Sequence, residues 1–214
     1  MRHRGASSSI AAHYDRLAKH YDRRWQAYIK QTLECALEPL SLTRATRLLD
    51  VGCGTGEFER MAIGRFPQLR ITGIDVAPQM IAVAREKLAD VPQVSFQVAQ
   101  AEDLPFGQEE FDIVVCASML HHVREPRQVL QECVRVLRPG GQLALVDWCR
   151  DFWHCHLMHR WLQLVDRTYV RMYRLCELQV LVEAQGLSVD TGVRFLVPPY
   201  YGMMGLRAVK FAGH

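Results

Sequence analysis

The sequence predicts an open, doubly wound α/β fold, and two observations carry that expectation. Between residues 47 and 147, short runs rich in Val, Ile and Leu alternate with segments of helical period. Those runs are apolar almost throughout rather than at every second residue. Strand–helix alternation requires crossover connections and hence parallel neighbours, and a strand with no polar side is one covered by helices on both faces. A chain of 214 residues, 49% apolar and 23% charged, has the length and composition for one sizeable domain of this kind.

Taken in order, residues 10–38 read as helices. Ile10, Tyr14, Leu17 and Tyr21, then Trp25, Tyr28, Ile29, Leu33 and Leu37, recur at helical spacing. Strands are expected at 47–51, 70–74, 94–98, 113–116 and 142–146, with helices at 57–65, 78–89 and 126–137 between them. Pro78 and Pro126 open two of these helices, where a missing N–H costs little. Arg138-Pro139-Gly140-Gly141 reads as a stop signal. Beyond residue 147 a helix is expected over 151–175 and another over 178–185, ended by Gly186. Strands at 187–197 and 206–211, joined through residues 198–202, would give the sheet an antiparallel finish.

Composition narrows the function. A formal net charge of +3 is too slight to suggest a nucleic-acid partner. The early basic residues Arg2, Arg4, Arg16, Lys19, Arg23 and Arg24 are interleaved with Asp15 and Asp22, as on a solvated helix face. Seven cysteines with no C-x-x-C pair indicate neither a disulfide framework nor a zinc ribbon. The first ten residues lack the apolar stretch of a signal peptide, and no apolar run approaches the roughly eighteen residues that cross a bilayer. A cytoplasmic protein without a membrane span is the expectation.

The most informative stretch is Leu48-Leu49-Asp50-Val51-Gly52-Cys53-Gly54-Thr55-Gly56-Glu57, which follows a buried strand and opens a helix. Open α/β sheets bind ligands at such turns, where glycines let the backbone come close. A dinucleotide fingerprint needs glycine at 57 or 59, but Glu57 and Glu59 stand there and would repel a pyrophosphate. A P-loop would end in Gly-Lys-Ser/Thr, which is absent. The pattern that fits is D-x-G-x-G-x-G, carried by Asp50, Gly52, Gly54 and Gly56.

This pattern resembles the first motif of class I S-adenosylmethionine-dependent methyltransferases. An anion at Asp50 suits a cofactor that has an ammonium, a sulfonium and no phosphate. The resemblance makes Asp75, nineteen residues after Gly56, the acceptor for two ribose hydroxyls, the alternative being a turn aspartate that caps the helix at Pro78. It continues through Ala99-Gln100-Ala101-Glu102-Asp103-Leu104-Pro105-Phe106, similar to the family's adenine-side segment, with Gln100 where an aspartate is common. Phe111–Val123 is like the fourth strand and its loop, and Leu137–Gly141 is like the turn into the fifth. The set is most similar to the branch holding the ubiquinone- and menaquinone-biosynthesis and other small-molecule methyltransferases. It implies a Rossmann-like, mostly parallel seven-stranded sheet with an antiparallel final strand, a helical lid before it and a helical cap after strand five.

The resemblance further implies S-adenosylmethionine as cofactor and S-adenosylhomocysteine as product. Val76, Met80, Gln100, Ala101, Glu102, Ala117 and Ser118 would join Asp50, Gly52, Cys53, Gly54, Gly56 and Asp75 around it, and Tyr14 and Tyr21 would close from the lid. The expected organisation is one domain: lid 1–40, cofactor core 45–147, substrate cap 148–176, and a C-terminal helix with strands 177–214. His121 is the candidate general base, with a structural role as its alternative. His121, Trp148, Trp153, Tyr169, Tyr173, Tyr200 and Tyr201 are candidates to surround a small apolar or aromatic acceptor, against plain core packing. Cys155 and His159 offer an i, i+4 pair but only two ligands, so no metal site is assigned. The expected reaction is methyl transfer to oxygen, carbon or nitrogen. A non-catalytic cofactor-binding module and, less well supported, a nicotinamide-dependent oxidoreductase are the alternatives.

Overall fold

Burial of the two most apolar strands fixes the centre of the sheet. In the computed structural model β1 (Arg47–Val51) buries its last four residues, β4 (Phe111–Ala117) buries five of seven, and the two pair in parallel. The structure describes residues 4–38, 40, 42, 46–166 and 168–211, with side chains from residue 9 onward. Arg2 and the side chain of Arg4 lie outside that description. Around the central pair stand β2 (Arg70–Asp75), β3 (Val94–Val98), β5 (Leu137–Trp148), β6 (Leu187–Val197) and β7 (Tyr201–Lys210), in the order β3-β2-β1-β4-β5-β7-β6. Only β7 runs against the rest, antiparallel to both β5 and β6.

Successive residues of each inner strand serve opposite faces. Leu49, Val114, Leu143 and Leu145 pack under α5 (Pro126–Val136) and α7 (Leu175–Glu183), where Leu130 and Leu178 are fully buried. Their neighbours Leu48, Ile113, Val115 and Ala144 pack under α2 (Tyr21–Leu37) and α3 (Glu57–Arg65), through Leu33, Leu37, Phe58 and Ala62. The helix α4 (Pro78–Lys87) covers β2 and β3, and α1 (Arg4–Leu17) lies against α4. Strand order reverses between β2-β1 and β1-β4, which opens a crevice at the carboxyl ends of β1 and β4.

Three boundaries differ from the sequence expectation for stated reasons. The stop signal at residues 138–141 lies inside β5, because Leu137 pairs with Phe111 ahead of a register shift and the chain bulges. Gly141 is needed there, since a Cβ would sit 2.8 Å from the Arg138 carbonyl oxygen. The expected helix over 151–175 ends early, as α6 (Trp153–Val165). Asp166 Oδ1 accepts bonds from the Thr168 backbone N–H (2.8 Å) and hydroxyl (2.7 Å), drawing them away from a continuing helix. Tyr169 and Tyr173 therefore lie on an extended segment, which bridges to Cys149. Finally, Tyr201 and Gly202 belong to β7 rather than to its preceding turn. Among the described residues no helix is long and apolar enough to cross a membrane.

Leu130 is fully enclosed between α5 and the sheet. Leu130→Ala is expected to lower the free energy of unfolding by about 2–5 kcal/mol, read from equilibrium urea denaturation, with the denaturant slope unchanged.

Candidate functional site

At the end of β1 the chain must turn from strand to helix within five residues, and it does so around backbone hydrogen bonds. Gly52 N–H and Cys53 N–H both donate to the Ile74 carbonyl, at 2.8 and 2.9 Å. Gly52 has φ +83°, and a Cβ there would stand 2.8 Å from Met119 Cβ, so the close approach excludes any larger residue. Gly54 N–H donates to Asp75 Oδ2 at 3.0 Å. Asp75 Oδ1 accepts from Ala77 N–H at 2.8 Å, at the start of α4. Asp75 thus braces the glycine loop and the turn into α4 at once. With Gly54, Ala77 and Val76 N–H groups on it, the carboxylate keeps room for a further donor.

A cavity of about 1150 Å³, its open mouth included, lies over this turn. Its floor is Asp50, Gly52, Cys53, Gly54, Thr55, Asp75 and Val76. One end is closed by Ala99, Ala101 and Glu102, and another wall by Ala117, Ser118, Met119 and His122. Asp50 is 2% exposed and its Oδ1 has no hydrogen-bond partner. Behind it, Glu59 is completely buried with neither carboxylate oxygen partnered. Burial, and then the negative charge of Asp75, push the Asp50 carboxyl up to about 8. Burial and then Asp50 raise Glu59 well above the carboxylate range. Asp75 is raised by burial, opposed by the backbone N–H groups it accepts. Three acids packed this closely under a cavity favour a cation above them.

The amino-terminal helices roof the cavity with Tyr14, Tyr21 and Tyr28, each seven residues from the next. Polar contacts fasten them. Tyr14 donates to His122 Nε2 (2.6 Å), while His122 Nδ1–H donates to the Thr168 carbonyl (2.8 Å). Burial, reinforced by His121, lowers the His122 pKa to about 3, so the ring is neutral and can accept. Asp15 accepts from Gln79 N–H at the opening of α4 (2.8 Å). Asp22 accepts from Thr55 Oγ1 (2.5 Å) and pairs with Lys87 (2.6 Å), which also holds Glu57. Tyr28 Oη accepts from Trp148 Nε1 and bonds Ser118 Oγ, both at 2.7 Å.

Residues 49–145 match the family model described as a methyltransferase domain. The chain is 38% identical over 137 residues to the O-methyltransferase resE of Aspergillus sclerotiorum, covering 59% of this chain and 51% of that one. It is 34% identical over 142 residues to the demethylmenaquinone methyltransferase of Listeria welshimeri, covering 63% of this chain and 60% of the other. The chain thus spans between half and three fifths of the length of these curated relatives. Its fold superposes on a Haloferax volcanii methyltransferase, solved in complex with the Trm112 methyltransferase activator. The TM-score is 0.81 at 21% identity, over 94% of this chain and 98% of that one.

Within the matched stretch and its flanks, the cavity gathers Tyr14, Tyr21, Asp50, Gly52, Cys53, Gly54, Asp75, Val76, Met80, Ala101, Glu102, Ala117 and Ser118. Gly56 lies outside the lining and packs instead against Phe96 and Ala84. Gln100 is exposed in a tight turn with Asp103, while Ala99 and Ala101 on either side face the cavity. His121 is buried off the lining, its Nδ1 bonded to Asp147 (2.6 Å) and its ring stacked on Trp148 at 4.3 Å. Its neighbour His122 reaches the cavity in its place.

The aromatic acceptor candidates divide. Trp148 and Tyr201 stand behind the lining, in a ring cluster with Tyr28, which does line the cavity. Tyr169 and Tyr173 are core residues, 6% and 2% exposed. Trp153 and Tyr200 are turned to solvent, 78% and 74% exposed, because the one stands on the outer side of α6 and the other on a turn. Cys155 is buried beside Gly202, and His159 Nδ1 is bonded to Tyr169 Oη (2.5 Å). Sequence reasoning missed Tyr28, Ile29, Thr32, Thr55 and Met119 in the lining, and the fastening role of Asp15 and Asp22. The series Tyr14, Tyr21, Tyr28 was a usable signal for the first.

An acid that titrates near pH 8 folded, against 3.8 as its ordinary value, holds an extra proton in the folded state between those limits. Its contribution to stability is therefore whole near pH 4 and is lost as the pH climbs to 8. Asp50→Asn is expected to raise the thermal unfolding midpoint of the ligand-free protein near pH 8 and to leave it near the wild-type value at pH 4.

Proposed function

We propose that the chain transfers a methyl group from S-adenosylmethionine to a small apolar or aromatic molecule at oxygen, carbon or nitrogen. The observation that carries this reading is a buried Asp50 oxygen, unpartnered among the described residues, beneath a glycine-lined cavity whose other acid, Asp75, still has acceptor capacity. That donor set fits a cationic nucleoside and not a pyrophosphate, because the loop offers carboxylates where a phosphate needs free N–H groups. The names of the curated relatives point the same way.

When bound, the cofactor supplies a methyl on a positively charged sulfur, so the chemistry asks of the protein orientation and exclusion of water. Asp75 holds the ribose hydroxyls, and Asp50 faces the amino-acid cation. Tyr14, Tyr21 and Tyr28 cover the space, with Tyr14 pinned by His122. Both His122 nitrogens are engaged, which suits a lid pin rather than a base. His121 acts as a positioning residue: clamped by Asp147, it holds Trp148, whose indole N–H holds Tyr28 at the cavity wall. In this reading residues 1–40 are the lid, 45–147 the cofactor core, 148–176 the cap beside the acceptor, and 177–214 the closing helix and strands. The working environment is the cytoplasm.

Calorimetric titration with S-adenosylmethionine and S-adenosylhomocysteine is expected to give binding of both, weakened about ten- to a hundredfold by Asp75→Ala. NADH is expected not to bind. Incubation with methyl-labelled cofactor and a metabolite extract is expected to label a small product. Binding without any labelled product would leave a cofactor-binding module, and no binding of either nucleoside would remove the proposal. Tyr14→Phe is expected to speed cofactor dissociation in stopped-flow fluorescence by a few-fold, as loss of one hydrogen bond implies.

A further inference from the structure

Among the described residues, nothing covers the outer side of α6. Trp153, Leu157 and Trp161 follow at i, i+4 and i+8, and Leu164 and Val165 extend the same stripe. Their exposures are 78%, 62%, 60%, 87% and 54%. The inner side is also apolar: Cys155, Met158 and Leu162 pack on Tyr169, Met172 and Trp148. Of its polar residues, His159 is buried and bonded to Tyr169 Oη, His154 meets the Tyr200 carbonyl, and His156, Arg160 and Gln163 form a narrow flank that repeats at i, i+4, i+7. A helix apolar on both sides is ordinarily buried on both sides.

Charge decides what covers it. The thirteen residues of α6 include no carboxylate, and their one permanently charged side chain is Arg160. The acids that flank the helix are held elsewhere. Asp151 accepts from Leu175 N–H (3.1 Å), Asp166 from Thr168, and Glu177 pairs with Arg150 (2.6 Å). A second copy laid along this ridge would therefore bring Arg160 against a helix with nothing acidic to offer it. An anionic lipid surface answers both features: acyl chains take Leu157 and Leu164, the two tryptophans sit at headgroup level, and Arg160 meets phosphate. Tyr200, exposed and tied to the start of the helix through His154 Nε2 and its own carbonyl (3.1 Å), continues the patch.

We propose that α6 docks the protein on an anionic membrane surface, lying in the interface through the stripe Trp153, Leu157, Trp161, Leu164. The placement has a use whatever the chemistry of the cavity. The buried side of α6 rests on Trp148, and Trp148 holds Tyr28 of the cavity wall, so a docked α6 stands one layer of side chains from the ligand space.

The test mixes the full chain with vesicles of phosphatidylcholine and phosphatidylglycerol, and separately with phosphatidylcholine alone. Binding is read by co-sedimentation and by a blue shift of tryptophan emission. Wild-type protein is expected to bind the mixed vesicles. The double variant Leu157→Glu, Leu164→Glu keeps every tryptophan, and it is expected to bind on the order of tenfold more weakly or worse. Arg160→Gln is expected to reduce binding to the anionic vesicles more than to the neutral ones. Because these side chains are exposed, unfolding midpoints of the variants should match wild type, which separates lost docking from lost folding. Failure of the wild-type chain to bind either vesicle would overturn the proposal. So would a lipid-free dimer in sedimentation equilibrium that the double variant abolishes, which would assign the stripe to a second copy.

Discussion

The site depends on the burial of acids that have no cation of their own. Asp50 and Glu59 lie at the end of β1 and the start of α3 with unpartnered oxygens, and Asp75 ends the next strand. Desolvation of a carboxylate is costly, and mutual repulsion adds to the cost. The molecule accommodates this by holding protons, as the upward shifts of Asp50 and Glu59 express. The glycine loop can sit so close to these acids because Gly54 and Ala77 spend their N–H groups on Asp75. Strain and charge are thus concentrated where a positively charged ligand would relieve them, the usual exchange of stability for function at a binding site.

The lid is a second consequence of the same electrostatics. Its apolar side packs Tyr14 and Tyr21 against Met80, Ala77 and Ala18. Yet its register is set by polar contacts that reach other elements: Tyr14 to His122, Asp15 to the opening of α4, Asp22 to Thr55 and Lys87, and Tyr28 to Ser118 and Trp148. Lys87 is the pivot, joining α2 to the first turn of α3 through Asp22 and Glu57. Glu57, which argued in the sequence against a phosphate, turns out to hold the lid's counter-ion.

The parallel core was legible because apolar runs and helical periods alternate without ambiguity, and the glycine loop was legible because only glycine tolerates the φ at Gly52 and the approach of Met119. What misled was of another kind. Arg138-Pro139-Gly140-Gly141 carries the chemistry of a turn, yet β5 takes it in as a bulge between the pairs Phe111–Leu137 and Ile113–Gln142. The long helix expected after residue 150 ends at Val165 because one side chain, Asp166, offers the backbone a different bond, which periodicity cannot register. The choice between His121 and His122 hinged on which ring Asp147 captures, a contact between positions 26 residues apart. Aromatic residues beyond Trp148 were sorted between core, wall and surface by tertiary packing that composition does not encode.

The clasp of Asp22, Thr55 and Lys87 also bears on the pace at which the cavity can be emptied. Three tyrosines of the amino-terminal helices form part of its enclosure. Moving these helices would break ion pairs and hydrogen bonds together with the apolar packing of Tyr14, Tyr21, Leu33 and Leu37. The Asp22–Lys87 pair is a group that ionic strength screens, so salt loosens this part of the enclosure.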